Sequence, residues 1–128
     1  MNIVKSFKVI STLSAYRIVT HSTSAAMTVK YPGSAQRPYV GVTYDTVLDT
    51  TGAIPVVVCG FAKLYFNDSC TTGNMVSSDT SGRGIPRAFG VTTTSTSLTS
   101  AYIGILVGPT VDATGSISTV LVMPGFER

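Results

Sequence analysis

Catalysis requires a nucleophile, a base or a metal held in defined geometry, and the candidates in this chain are few and scattered. His21 is the single histidine. It sits in a run of Ser, Thr and Ala that reads as a loop or hinge, where an imidazole has no built-in partner to tune it. Serines are plentiful, yet no Gly-x-Ser-x-Gly elbow is present, so a Ser-His-Asp set would have no local support. A cysteine and histidine metal site would need His21, Cys59 and Cys70 to converge without the paired spacing that such sites use. The six acids stand singly. The stretch from Asp79 to Gly84 (DTSGRG) lacks the Lys-Ser/Thr ending of a phosphate loop and reads as an exposed turn with Arg83 at its tip. These residues imply neither an enzyme nor a resident cofactor or metal. Cys59 and Cys70 are the only cysteines, and in a chain without a convincing leader they are expected to be reduced, Cys59 packed in a strand as a small hydrophobe.

The cations are more informative. Residues 1–44 carry Lys5, Lys8, Arg17, Lys30 and Arg37 and no acid, whereas residues 45–128 carry four cations against six acids. A basic leading segment can seek nucleic acid, a membrane surface or an acidic protein. Five cations over this length make a thin patch for phosphates, with no recognised binding motif beside them. No apolar run reaches membrane-spanning length. The opening places Lys5 and Lys8 before Val9 and Ile10 as a secretory leader would, but Ser11, Thr12 and Ser14 break its apolar stretch. A protein partner suits the segment better: an extended arm can add a strand to another protein's sheet, its backbone supplying affinity and its charges orientation. The contact residues expected on that arm are Ile3, Lys5, Phe7, Lys8, Tyr16 and Arg17, with the cations pairing to acids and Phe7 and Tyr16 anchoring.

The elements that must position these residues read as strands throughout. Charged residues are only 12% of the chain and apolar ones 44%, a balance that favours a permanent assembly over a free monomer. The stretch Tyr39 to Val57 recurs sixty-three positions later as Tyr102 to Val120 without a gap, with identities at Tyr39/Tyr102, Gly41/Gly104, Asp49/Asp112, Thr51/Thr114, Gly52/Gly115, Ile54/Ile117 and Val57/Val120. Each copy is a β-rich run, an Asp-x-Thr-Gly turn and a second β-rich run, so each should be a hairpin-like unit whose glycine takes positive φ. Within the first return strand, Phe61, Lys63 and Tyr65 should share one side and Ala62, Leu64 and Phe66 the other, with Gly60 marking a bulge or bend between sheet edges. Shorter strands are expected at Tyr16 to Thr20, Met27 to Tyr31 and Asn74 to Ser78, with helical periodicity limited to a single turn near Thr46 to Leu48. The Ser/Thr tract from Val91 to Ser100 suits extended backbone. The expectation is an all-β protein: a small β-barrel or sandwich of two related hairpin units, with an extended basic arm and hinge over residues 1–26 and one barrel-like domain over 27–128.

Phe7-Lys8, Tyr16-Arg17-Ile18-Val19, Gly41-Val42-Thr43, the Val56 to Gly60 strand, Gly73 to Gly84 (GNMVSSDTSGRG), Ile103-Gly104-Ile105 and the closing Val120 to Gly125 resemble, in order along the chain, the small capsid decoration or cement proteins of tailed bacteriophages. The resemblance implies a compact β-barrel, usually a homotrimer, on the outer surface of a virion head assembled in the host cytoplasm. It would bind at junctions of the major capsid protein and stabilise the shell against internal pressure, its amino-terminal arm making capsid contacts. The Ser/Thr tract at 92–100 departs from that pattern. The alternative is a carbohydrate-binding or adhesive β-module on a virion or cell surface, with Tyr and Asp residues in exposed loops. A hydrolase is the reading the residues favour least.

Overall fold

The computed structural model describes residues 2–9, 13–22, 26–32, 39–44, 53–79, 81–87, 100–111 and 115–127. Every regular element among them is a strand: β1 (Ile3–Val9), β2 (Ile18–His21), β3 (Thr28–Lys30), β4 (Tyr39–Thr43), β5 (Ala53–Tyr65), β6 (Met75–Ser78), β7 (Gly84–Arg87), β8 (Ser100–Leu106) and β9 (Ile117–Glu127). They form one continuous hydrogen-bonded order, β1-β3-β2-β4-β5-β9-β8-β6-β7. An additional β1–β5 pairing closes the first five into a barrel, mixed in direction because β1 and β3 run parallel. The remaining four strands continue from β5 as an outer antiparallel sheet. The expected all-β fold is therefore the observed one.

The barrel and the outer sheet share three strands' worth of apolar side chains. Phe7, Val9, Val19, Val29, Ile54 and Val56 form one buried cluster with Leu13. Ile18, Val42 and Val57 belong to a second, where they meet Leu64, Phe66, Val76, Ile103, Leu106, Val120 and Val122 of the outer sheet and its flanks. Neighbouring residues such as Ile18 and Val19, or Val56 and Val57, thus bury opposite faces of one strand. This explains why these strands read as unbroken apolar runs instead of alternating ones.

β5 is the shared stave. Its residues Ala53 to Cys59 pair with β1, and Gly60 to Tyr65 pair with β9. Before Gly60 the even-numbered Ile54 and Val56 face the first cluster while Val57 faces the second; after it, Ala62 and Leu64 face the second. Strict two-residue alternation cannot produce that switch, and Gly60 supplies it at φ 114°. Asn2 occupies the space where a Gly60 side chain would be. Phe61, Lys63 and Tyr65 lie on the outward side and Ala62, Leu64 and Phe66 are buried, as the alternation predicts.

The two repeat copies fold into related hairpins. In the first, β4 pairs with β5 through Val42↔Val57; in the second, β8 pairs with β9 through Leu106↔Val120. Because Val57 and Val120 are counterparts but Val42 and Leu106 are not, the second hairpin is offset by one residue. In both, the repeated glycine presses on the partner strand: a Cβ on Gly41 would collide with the Val57 carbonyl oxygen, and one on Gly104 with that of Leu121. Gly115 has the expected positive φ, 93°. Its counterpart Gly52, the Asp49 and Asp112 turn residues, the supposed helical turn at 46–48 and most of the Ser/Thr tract lie outside the described residues.

Three local expectations are corrected. Cys59 is exposed on β5, because its position follows the end of the cluster that covers Val57; Cys70 is the buried thiol, and both are free. The described residues of the DTSGRG segment, Asp79 and 81–84, are tucked at the β6–β7 connection and not at a solvent-exposed tip. Asp79 Oδ1 accepts from the backbone N–H groups of Ser81 and Arg83, each at 2.9 Å, and its Oδ2 pairs with Arg83 Nε at 2.8 Å. Ile18 N–H then donates to the Gly82 carbonyl at 2.7 Å, tying the hairpin to β2. Finally, the amino-terminal stretch expected as an arm is extended, but β1 and β2 are both barrel staves. Phe7 is 8% exposed and Val9 6%, because both pack with Leu13, Val19, Val29, Ile54 and Val56 in the first cluster.

Candidate functional site

A groove of about 440 Å³ lies between the 14–17 and 43–44 segments and the outward face of β5 and β9, lined by Tyr16, Thr43, Tyr44, Phe61, Ala62, Lys63 and Thr119. A second hollow of about 350 Å³ adjoins it, sharing Tyr16, Lys63 and Thr119 and adding Pro109, Ile117 and Ser118. The chain positions this surface by bringing β9 beside β5, so Lys63 lies opposite Thr119, Phe61 opposite Leu121 and Tyr65 opposite Ile117.

Thr43 fixes the groove's rim. Fully buried, it accepts from Arg17 N–H through Oγ1 at 2.9 Å and donates from the same hydroxyl to the Ser14 carbonyl at 2.9 Å. Its own N–H donates to the Arg17 carbonyl at 2.8 Å, and its carbonyl accepts from Tyr16 N–H at 3.1 Å. Tyr65 N–H donates to the Tyr16 carbonyl at 2.9 Å. Held from both sides, Tyr16 adopts φ 60°, a left-handed conformation that costs a non-glycine residue about 1 kcal/mol or more. Strain of that kind persists only where surrounding bonds over-determine it.

The charges at this surface are uncompensated within the described residues. Lys63 is exposed and makes no hydrogen bond or ion pair there. The Arg17 guanidinium lies 4.5 Å from the centroid of the Tyr65 ring, a cation–π contact. Its Nε is buried without an acceptor, and Nη1 reaches only the Ser81 carbonyl at 3.5 Å. The Asp79–Arg83 pair is the one salt bridge among the described residues.

Of the residues expected to contact a partner, the structure brings Tyr16 to this groove, sets Arg17 over the Tyr65 ring and leaves the others along β1. Ile3 (44% exposed), Lys5 and Lys8 face solvent, while Phe7 is packed inside the barrel and cannot serve as a surface anchor without opening it. β1 nevertheless reaches the groove at its start: the Asn2 side-chain amide donates to the Phe61 carbonyl and its Oδ1 accepts from Phe61 N–H, both at 2.8 Å. Along the edge away from β5, β1 pairs with β3 at Lys8 and Val9, and among the described residues no strand pairs with Ile3 to Ser6 on that side. Sequence reasoning placed Phe61 and Lys63 on one side of a strand but not in a site. The signal that could have found them is an aromatic and a cation two apart on a face that alternation should otherwise make polar.

His21 is exposed at the end of β2. Among the described residues no group of three or more His, Cys, Asp or Glu side chains comes together as metal ligands would. Burial, with the charge of Asp68 adding to it, pushes the Cys70 thiol up.

The fold is similar to that of the N base of the head fiber gp8.5 of bacteriophage phi29. The two share a TM-score of 0.59 at 13% sequence identity, over 96% of this chain and 95% of that one. No protein-family model matches the sequence, and no curated protein matches it.

Proposed function

We propose that this chain is a non-enzymatic structural subunit of a phage virion that attaches to the outside of the head, binds the major capsid protein as a decoration or cement subunit, and stabilises the shell. The observation that carries this reading is the nearly end-to-end correspondence with a head-fibre base, which includes both the barrel and the outer sheet in one unit. A closed barrel with a second layer packed on it is rigid, as a shell fastener needs to be. The surface also carries what a fastener needs: the open edge of β1 at Ile3 to Ser6, with Lys5 and Lys8 beside it, can add a strand to a partner sheet. Tyr16 and Arg17 extend that contact surface through the Asn2–Phe61 clamp. With so few charges, the subunit is expected to act as a homotrimer on the head.

The test mixes purified protein with mature heads of the phage that encodes it and sediments them. Saturable binding at a fixed number of copies per head, with raised resistance of the heads to heat or chelation, is expected; protein left wholly in the supernatant would overturn the proposal. A glycan array run in parallel distinguishes an adhesive module, which would bind a sugar and leave heads bare.

A further inference from the structure

The outward face of the outer sheet is apolar where water should meet it. Phe61, Leu121, Ile105 and Met75 lie opposite one another in a single cross-strand row over β5, β9, β8 and β6. Around that row Phe61 is 53% exposed, Ile117 47%, Met123 45% and Val107 42%, with Tyr44 at 56% on the groove's rim. An antiparallel sheet with one solvated face normally turns polar residues to it. The inner face is already committed to Leu64, Val120 and Val122 in the core, so this second apolar face requires a different occupant.

Chemistry selects among occupants. Lys63 is the only charged residue lining the groove, and it lacks a partner among the described residues; Arg17, stacked on Tyr65 in the next position along that face, likewise lacks an acid. A carboxylate is the complement of both. Among the described side chains a second copy offers one exposed acid, Asp68, since Asp79 is spent on Arg83. Two of the hydroxyls a sugar could use are already spent: that of Thr43 on Ser14 and Arg17, and that of Ser118, which donates to the Pro109 carbonyl at 2.8 Å. A nucleic-acid strand would need a row of cations tracking its phosphates, and this groove has one on its floor. Three aromatic rings, Tyr16, Tyr44 and Phe61, around a single ammonium fit apolar side chains interspersed with a carboxylate.

We infer that the groove over Lys63, walled by Tyr16, Tyr44 and Phe61, binds an extended acidic segment of another protein. This rests on the head-binding reading in one respect: the segment is taken to belong to the head subunit that the chain contacts. Lys63 supplies the charge contact and the rings receive the flanking apolar side chains. Selection for acid at that point orients the segment across β5 and β9.

The test titrates the full chain, followed by NMR, with a short peptide alternating aspartate with leucine and phenylalanine, its asparagine counterpart, an oligothymidine and a malto-oligosaccharide. The acidic peptide should saturate below about 1 mM, shifting the signals of Phe61, Lys63 and Thr119. The asparagine peptide and the Lys63→Glu variant should each weaken binding about tenfold, with Lys63→Gln in between and the unfolding midpoint unchanged in both variants. Equal affinity for the two peptides, binding unaffected by Lys63→Glu, tighter binding of the oligothymidine or the sugar at the same residues, or no saturation would overturn the inference. Sedimentation with heads separates the two readings. If Lys63→Glu loses the peptide but still binds heads, the groove is not the head contact while head binding stands. If wild-type protein binds the peptide but not heads, the groove stands as an acidic-segment site and the head assignment falls.

Discussion

The two copies of the repeat begin from the same residues and finish in different company. The first hairpin, β4 with the start of β5, is buried on both faces, between the barrel interior and the outer sheet. The second, β8 with β9, buries one face and exposes the other. Their local logic is shared: a glycine at Gly41 and at Gly104 lets each strand approach a partner carbonyl, and valines 57 and 120 fill the same core. Among the positions where they differ, one at the strand end shapes the groove. Where the second copy has Leu106 packed in the core, the first has Thr43, whose hydroxyl binds the backbone on either side of Tyr16 and so shapes the groove. One copy builds the scaffold and sets the rim of the site; the other supplies much of the face that the rim overhangs.

The largest expected effect comes from removing what makes the first copy's surroundings a barrel. Deleting residues 1–9 takes away the closing strand with Phe7 and Val9, and should abolish cooperative unfolding by calorimetry instead of leaving a folded body. A folded product would mean that β1 is a dispensable arm and that the two copies are independently stable.

Gly41→Ala and Gly104→Ala probe the shared feature. Each methyl meets a backbone carbonyl that cannot rotate away, so each should cost about 2–3 kcal/mol in a urea titration, by overpacking. Similar losses would show that the repeat conserves one packing device; loss at one site alone would show that the one-residue offset has released the other.

Thr43→Val separates the copies at the point where they diverge. It keeps the shape while leaving Arg17 N–H and the Ser14 carbonyl without their partner, for a cost of about 1–3 kcal/mol. It should also release Tyr16 from positive φ, which a change in its NMR couplings would report.

The cysteines give the smallest effect. Thiol labelling of the native protein should modify Cys59 readily and Cys70 only on unfolding. Because burial, aided by Asp68, holds the folded Cys70 thiol above its ordinary range, the unfolded form ionises first on raising the pH. Its contribution to stability is therefore full below the ordinary thiol range and declines above it. A Cys70→Ser variant should flatten that alkaline decline.

Much of this architecture was legible in the residues. The all-strand character follows from β-branched and aromatic runs bounded by glycine and proline, the two hairpins from the repeat, and the switch in β5 from a lone glycine inside a long strand. The position of the closing strand was not legible, because Ile3 to Val9 has the same composition whether it completes its own barrel or another protein's sheet. The loop at Asp79 to Gly84 was misplaced because its order depends on a carboxylate receiving two N–H groups and a guanidinium, a contact that spacing permits but does not announce. The groove was hidden for a topological reason. Tyr16, Lys63 and Thr119 become neighbours only because β9 docks on β5 while the loop before β2 folds over both, and nothing local to any of them encodes that order.

The central claim, that the barrel is the scaffold and the outward face of β5 and β9 is the working surface, is tested most directly by hydrogen exchange on the protein bound to heads and free. Slowed exchange at residues 3–6, 14–17, 61–65 and 117–121, with the other barrel strands unchanged, is the predicted footprint. Protection confined to β6 and β7, with exchange at those four segments unaltered, would contradict it.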